Sequence, residues 1–159
     1  MHLRQIEKLQ IAIEQLEDAL EAYFAERFHS AIVLAGASEQ LLAGYVLKHG
    51  ETPSWVQTRG AVTRIANALR DDADKELTTE KQIGNFLNRA YNNSKHAGTS
   101  DHSVVMDPQY EAKAVIDRAI TNLDVLEARG VEGLREVPLA ERFMVESAGE
   151  ATIGEADAG

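Results

Sequence analysis

Apolar residues along the chain recur mostly at intervals of three and four, which is the spacing of one face of an α-helix. The first series predicts an amphipathic helix from about Leu3 to Arg27, with Glu and Lys on its outer face. Residues 30–48 are apolar or small on nearly every side, so they predict a helix buried by several neighbours. Later series predict helices over residues 58–69, 79–98 and 108–129.

Short polar signals mark where these helices begin and end. Thr79, followed three residues later by Gln82, predicts a capping box for the fourth helix. Asp107 directly precedes a proline, and this pair is typical of an N-cap with proline at the first helical position. Gly50 and Gly130 follow the second and fifth helices as stop signals.

Five helices with short connections and no strand signal predict an all-α protein. We expect an antiparallel four-helix bundle with an additional helix, in which the second and fourth helices are central. The bundle should occupy residues 1–130, and residues 131–146 should form a weakly structured extension with room for a short helix. Residues 147–159 are rich in Gly, Ala and acids and contain no base, so they predict an acidic disordered tail.

Composition limits the classes of function. The absence of cysteine excludes disulfides and thiol catalysis, and no apolar run approaches the roughly 18 residues of a membrane span. We therefore expect a cytoplasmic protein without a membrane segment. The formal net charge of −10 argues against a general polyanion-binding surface, so any contact with RNA must be local.

The stretch over residues 84–98, GNFLNRAYNNSKHAG, concentrates the plausible chemistry of the chain. If it is helical, Arg89 and His96 lie seven residues apart and project in nearly the same direction. Imidazole can exchange protons near neutral pH, and guanidinium matches phosphate oxygens. The same strip also contains three amides, Asn85, Asn92 and Asn93.

Two other features have alternative interpretations. Glu39 is the one acid within residues 30–48, and it is either a hydrogen-bond acceptor between helices or a binding-site residue. Three small residues of the same helix would let another element approach closely: Gly36, Ala37 and Gly44. Arg59, Arg64 and Arg70 form either a solvated face paired with nearby acids or a track for RNA.

Two of these features resemble the HEPN superfamily of small helical proteins. Arg89, followed by His96 late in the penultimate bundle helix, resembles the family's R-x(4–6)-H motif, and the phrase SAIVLAGASEQLL is similar to its second helix. The resemblance covers roughly residues 3–128. It implies a homodimer in which two motifs share a cleft, and active members are metal-independent endoribonucleases. His96 would then be the general acid/base, and Arg89 would hold the scissile phosphate.

The resemblance leaves two functions open. Many relatives show R-N-x-x-K-H, and alignment of that pattern on His96 puts Tyr91 at the arginine position, while Asn92 and Lys95 match. The first function is a ribonuclease acting as a toxin or defence effector, with a cognate antitoxin protein as partner. The second is a non-catalytic dimeric module that binds a nucleotide, RNA or a protein. No cofactor is expected, and the histidine spacing predicts no metal site.

Overall fold

The computed structural model describes residues 5–69, 77–95 and 105–156, with side chains except that of Lys95 and those after residue 148. Within these ranges the chain forms α-helices and no strand. The all-α fold predicted from the sequence is therefore confirmed. The helices are α1 (Lys8–Phe24), α2 (Phe28–Lys48), α3 (Ser54–Ala68), α4 (Glu80–Leu87), α5 (Arg89–Lys95), α6 (Pro108–Ala128) and α7 (Pro138–Ala156).

The core forms where α2 packs between α1 and α6. Helix α5 packs on α2, α3 packs on α4 and α6, and α7 packs on α1. The prediction that α2 is central is confirmed, but the expectation that the fourth helix shares this role is wrong because α6 takes it. Apolar residues of these three helices are fully buried, among them Ile13, Leu16, Leu20, Ile32, Leu42, Ile116 and Leu126.

The predicted fourth helix is two helices that meet at Asn88. Helix α4 ends at Leu87, and Asn88 departs from helical geometry with φ −98° and ψ 4° before α5 begins. Asparagine favours such a break because its side chain competes with the backbone hydrogen bonds of a helix. Helical spacing along residues 79–98 predicts Phe86 and Ala90 on the core face, but Phe86 is 64% exposed, whereas Ala90 and its neighbour Tyr91 are buried.

The helix signals read from the sequence are present in the structure. Gln82 donates its backbone N–H to the hydroxyl of Thr79, and the Gln82 side chain accepts the backbone N–H of Thr79 at 2.8 Å. Asp107 accepts two backbone N–H groups in the first turn of α6. Gly50 and Gly130 have positive φ angles of 79° and 64°, the conformation that glycine adopts most readily after a helix.

The C-terminal part of the chain contains a helix, α7, that packs on α1. Residues 131–146 belong to the fold, because Val137, Ala140 and Phe143 are buried and the Phe143 ring meets Tyr23 edge-on at 5.2 Å. Helix α7 continues past residue 147, the expected start of the tail, to Ala156, and the predicted disorder of this segment stays a prediction. Alanine and glutamate favour helix, and they are frequent in this segment. Residues 157–159 lie outside the described ranges.

Helix α2 is apolar enough to be compared with a membrane span. In the described part of the chain it is the one helix that has the necessary length and hydropathy. Half of its apolar window is buried inside the protein, against α1 and α6. The high hydropathy of α2 is therefore explained by its packing in the core between α1 and α6.

Tyr91 of α5 packs its ring directly on Gly36 of α2. A Cβ atom at Gly36 would lie 2.4 Å from Cδ2 of Tyr91, so only glycine allows this contact. A Cβ atom at Gly44 would meet nothing within 4 Å. The expectation of a close approach along α2 is therefore correct at Gly36 and wrong at Gly44.

Gly36→Ala should lower the free energy of unfolding by about 1–3 kcal/mol, because the new methyl group overpacks the contact with Tyr91. Gly44→Ala is the matched control on the same helix, and it should raise stability by up to about 1 kcal/mol through helix propensity. Urea denaturation of the two variants measures both values. Equal effects of the two substitutions would contradict the described position of α5 on α2.

Candidate functional site

Two clefts share Trp55 of α3 and Asn88 between α4 and α5 as walls. We call them the basic cleft and the aromatic cleft. The basic cleft has a volume of about 270 Å³, and its other lining residues are Arg59, Glu80, Lys81, Gly84, Asn85 and Asn92. The aromatic cleft has a volume of about 310 Å³, and its other lining residues are Glu39, Gln40, Ala43, Gly44, Leu47 and Tyr91.

Arg59 is held in one position in the basic cleft. Its guanidinium lies over the ring of Trp55 at 4.4 Å from the centroid, and its Nη2 atom is 2.9 Å from a carboxylate oxygen of Glu80. Gly84 makes room for the side chain, since a Cβ atom there would lie 3.2 Å from Cδ of Arg59. The Nε atom of Arg59 is buried without a hydrogen-bond partner. The cleft thus contains an oriented guanidinium that is paired with the Glu80 carboxylate.

One lysine and three asparagine side chains form the wall of the basic cleft along α4 and α5. Lys81, Asn85, Asn88 and Asn92 recur at intervals of three and four and line the same wall. Asn85 and Asn92, two of the predicted site residues, are therefore brought together with Arg59. Asn93 is exposed and does not line either cleft.

Arg89, one of the two residues of the predicted Arg/His pair, does not line either cleft. Arg89 is exposed, and its guanidinium lies over the ring of Phe86 at 5.7 Å from the centroid. His96 and the side chain of Lys95 lie outside the described residues. The proposed Arg/His geometry therefore stays a prediction.

Glu39 forms a buried ion pair with Arg118 of α6. Nε of Arg118 donates to Oε1 of Glu39 at 2.8 Å, and Nη2 donates to Oε2 at 3.3 Å. Each residue is only 6% exposed. Glu39 therefore acts as an acceptor between helices, and it also lines the aromatic cleft. We did not single out Arg118 from the sequence, although a base among the apolar residues of α6 is the complement that a buried acid requires.

Asn122, one turn after Arg118, extends this polar layer to α3. Its side chain is fully buried, and Oδ1 accepts the backbone N–H of Ser54 at 2.8 Å. This bond satisfies the first turn of α3, whose N-cap residue is Pro53 and offers no side-chain cap. Asn122 therefore helps to set where α3 begins, directly before Trp55.

Charge is distributed unevenly among the helices. Helices α3, α4 and α5 carry five basic residues and one acid. A cleft of about 500 Å³ between α6 and α7 is instead lined by four acids, Asp124, Glu127, Glu136 and Glu141. Partial burial of Asp124 raises its pKa, and the neighbouring Asp117 carboxylate raises it further. Four further acids lie in the segment between α3 and α4, at residues 71–76, so the positive charge belongs to the helices and not to their connection. The α6–α7 cleft would repel a polyanion more strongly than these helices do.

Comparisons of the chain with protein-family models, curated proteins and solved structures give no significant match. The HEPN resemblance therefore rests on the motif residues and on their place in the order of helices. Among the described residues, no group of three His, Cys, Asp or Glu side chains has an arrangement that could hold a metal ion.

Glu39→Ala should lower the free energy of unfolding by about 3–5 kcal/mol, because it leaves the Arg118 guanidinium buried without its counter-charge. The double variant Glu39→Leu/Arg118→Met replaces both charges with apolar groups and should be clearly more stable than the single variant. Urea denaturation of both proteins and the wild type measures the difference. A double variant less stable than Glu39→Ala would show that the two side chains are not coupled as described.

Proposed function

We propose that this chain is a HEPN-like RNA-binding protein in which α3, α4 and α5 hold the backbone of single-stranded RNA. The basic cleft is the observation that carries the proposal. It combines the fixed guanidinium of Arg59 with the ammonium of Lys81 and three asparagine amides. This concentration of N–H donors stands out in a protein whose formal net charge is −10.

The chemistry of the basic cleft matches a phosphodiester better than a neutral metabolite. Guanidinium and ammonium groups supply positive charge and donors to phosphate oxygens, and the amides add neutral donors. Trp55 adds an aromatic face beside them, and single-stranded RNA presents unstacked bases that stack on such faces. Double-stranded RNA keeps its bases stacked and would leave Trp55 unused.

The helical arrangement supports the family part of the proposal. Helices α1, α2 and α6 pack together, and α5 packs on α2 beside them. We take α1, α2, the α4–α5 segment and α6 as the four helices of a HEPN-like bundle, with α3 and α7 as additions. In this arrangement Arg89 and Asn93 are exposed on α5, where a second copy of the chain would bring two motifs to one cleft.

Catalysis is the stronger form of the same proposal. The ribose 2′-hydroxyl would attack the adjacent phosphorus and lose its proton to His96, while the bond from phosphorus to the 5′-oxygen breaks. The departing 5′-oxygen takes up a proton, which leaves a 2′,3′-cyclic phosphate and a 5′-hydroxyl. Arg89 would stabilise the charge that develops on the phosphate. A ribonuclease of this kind fits a cytoplasmic toxin or defence effector that a cognate antitoxin protein restrains.

Lys81→Gln should weaken binding to single-stranded RNA and lower the slope of log affinity against log salt concentration by about 0.7, because one phosphate contact is lost. Lys8→Gln makes the same charge change at the start of α1 and should leave both quantities unchanged. Fluorescence anisotropy of a labelled RNA over a range of salt concentrations measures them. Equal losses in the two variants would mean that binding reflects net charge and does not use the basic cleft.

His96→Ala and Arg89→Ala should each reduce cleavage of single-stranded RNA on the order of a hundredfold or more, by analogy with the loss of one transition-state donor. His29→Ala, which removes an exposed histidine of α2, is the control and should cleave normally. Gel analysis of the products should show 2′,3′-cyclic phosphate ends with or without EDTA. Wild-type protein that binds RNA and never cuts it would favour the non-catalytic module.

Light scattering should report a particle of twice the 17.4 kDa chain mass, as a homodimer with two motifs near its symmetry axis requires. A protein that stays monomeric at tens of micromolar would contradict the shared cleft.

A further inference from the structure

The aromatic cleft has the features of a small-ligand pocket. Its volume of about 310 Å³ lies within the range of known ligand sites. Trp55 and Tyr91 supply aromatic surface, and α2 adds the small or apolar residues Ala43, Gly44 and Leu47. Walls of this kind fit a flat, largely apolar group.

A residue with a buried carboxylate, Glu39, also lines this cleft. Glu39 is 6% exposed, lines the cleft, and receives one hydrogen bond on each oxygen from Arg118. A carboxylate accepts about four hydrogen bonds, so it retains capacity for a donor of the ligand. Because it only accepts, it favours a ligand edge that carries N–H groups and disfavours one that presents a carbonyl oxygen.

The position of the cleft links it to the basic cleft. Trp55 and Asn88 belong to both, so one ligand can place an anionic group among Arg59 and Lys81 and a planar group against Tyr91. A nucleotide unit of a single strand has this combination of a phosphate and a flat base.

We infer that the aromatic cleft is a base pocket, which takes one unstacked base of the bound RNA with its exocyclic amino group facing Glu39. The inference rests on the proposed function, and it adds base selectivity to it. Adenine, guanine and cytosine carry an amino group, whereas uracil presents carbonyl oxygens on both sides of its single N–H. Uracil can therefore offer the carboxylate only this N–H, and a carbonyl oxygen that the carboxylate repels lies on either side of it.

The single tryptophan of the chain makes the pocket directly observable. Because Trp55 lines the cleft, its fluorescence should be quenched when a base enters. Short oligoadenylate and oligocytidylate should quench it and bind about tenfold or more tightly than oligouridylate of equal length. Anisotropy of the same labelled strands reports binding independently of quenching.

Gly44 allows the pocket to be closed without disturbing the core. It lines the cleft, and a Cβ atom there would meet nothing within 4 Å. Gly44→Leu should fill the pocket, abolish quenching and reduce the preference for amino-bearing bases to less than about twofold, while oligouridylate binding persists. Gly44→Ala is the matched control and should keep most of the selectivity.

The outcomes separate this inference from the proposed function. Binding of all strands with equal affinity, or selectivity that survives in Gly44→Leu, would overturn the base pocket and leave RNA binding in place. Failure of the wild type to bind any strand in the anisotropy measurement would overturn both. Quenching by the amino-bearing strands alone, lost in Gly44→Leu and retained in Gly44→Ala, is the result that supports the pocket.

Discussion

The buried ion pair between Glu39 and Arg118 is the constraint on which the arrangement of the helices depends. Removing two charges from water is expensive, and the pair recovers this free energy only when the guanidinium and carboxylate align. Apolar contacts between α2 and α6 would tolerate small shifts along the helices, whereas two directed hydrogen bonds tolerate far less. We infer that the pair selects one register of α2 against α6, and that Asn122 transmits this register to α3 through Ser54.

The separation of charge among the helices adds a long-range effect to this local geometry. The chain is acidic overall, yet its basic residues outnumber acids on α3, α4 and α5. The acidic cleft between α6 and α7 repels a polyanion, so the field of the protein would direct a nucleic-acid strand toward the basic cleft. An acidic protein can in this way bind RNA at one surface and avoid non-specific binding elsewhere.

Features of the fold that depend on local sequence could be predicted, and features that depend on distant partners could not. The periods of α1, α2 and α6 and the caps at Thr79 and Asp107 are properties of short segments. The burial of Tyr91 depends on the absence of a side chain at Gly36, which is distant in sequence. The spacing of apolar residues over 79–98 therefore does not reveal that Tyr91 contacts Gly36.

The same distinction applies to the candidate site. Asn85, Asn92 and Glu39 were identified because they stand out within their own segments, and all three line a cleft. Trp55 has no signal of its own in the sequence, and for Arg59 the sequence leaves a solvated face and an RNA track as alternatives, because the role of both residues arises from the packing of α3 against α4. An arginine beside an aromatic residue at i+4 was the available signal, since such residues meet on one helix face.

The break in the helix at Asn88 has a consequence for how the two clefts communicate. Asn88 joins α4 to α5 and lines both clefts, so the angle between these helices influences the shape of each. If the proposed function holds, a group bound in one cleft would restrict that angle and thereby change the affinity of the other. By thermodynamic linkage the effect must be reciprocal. The joint would make the recognition of a phosphate and of its neighbouring base a cooperative event.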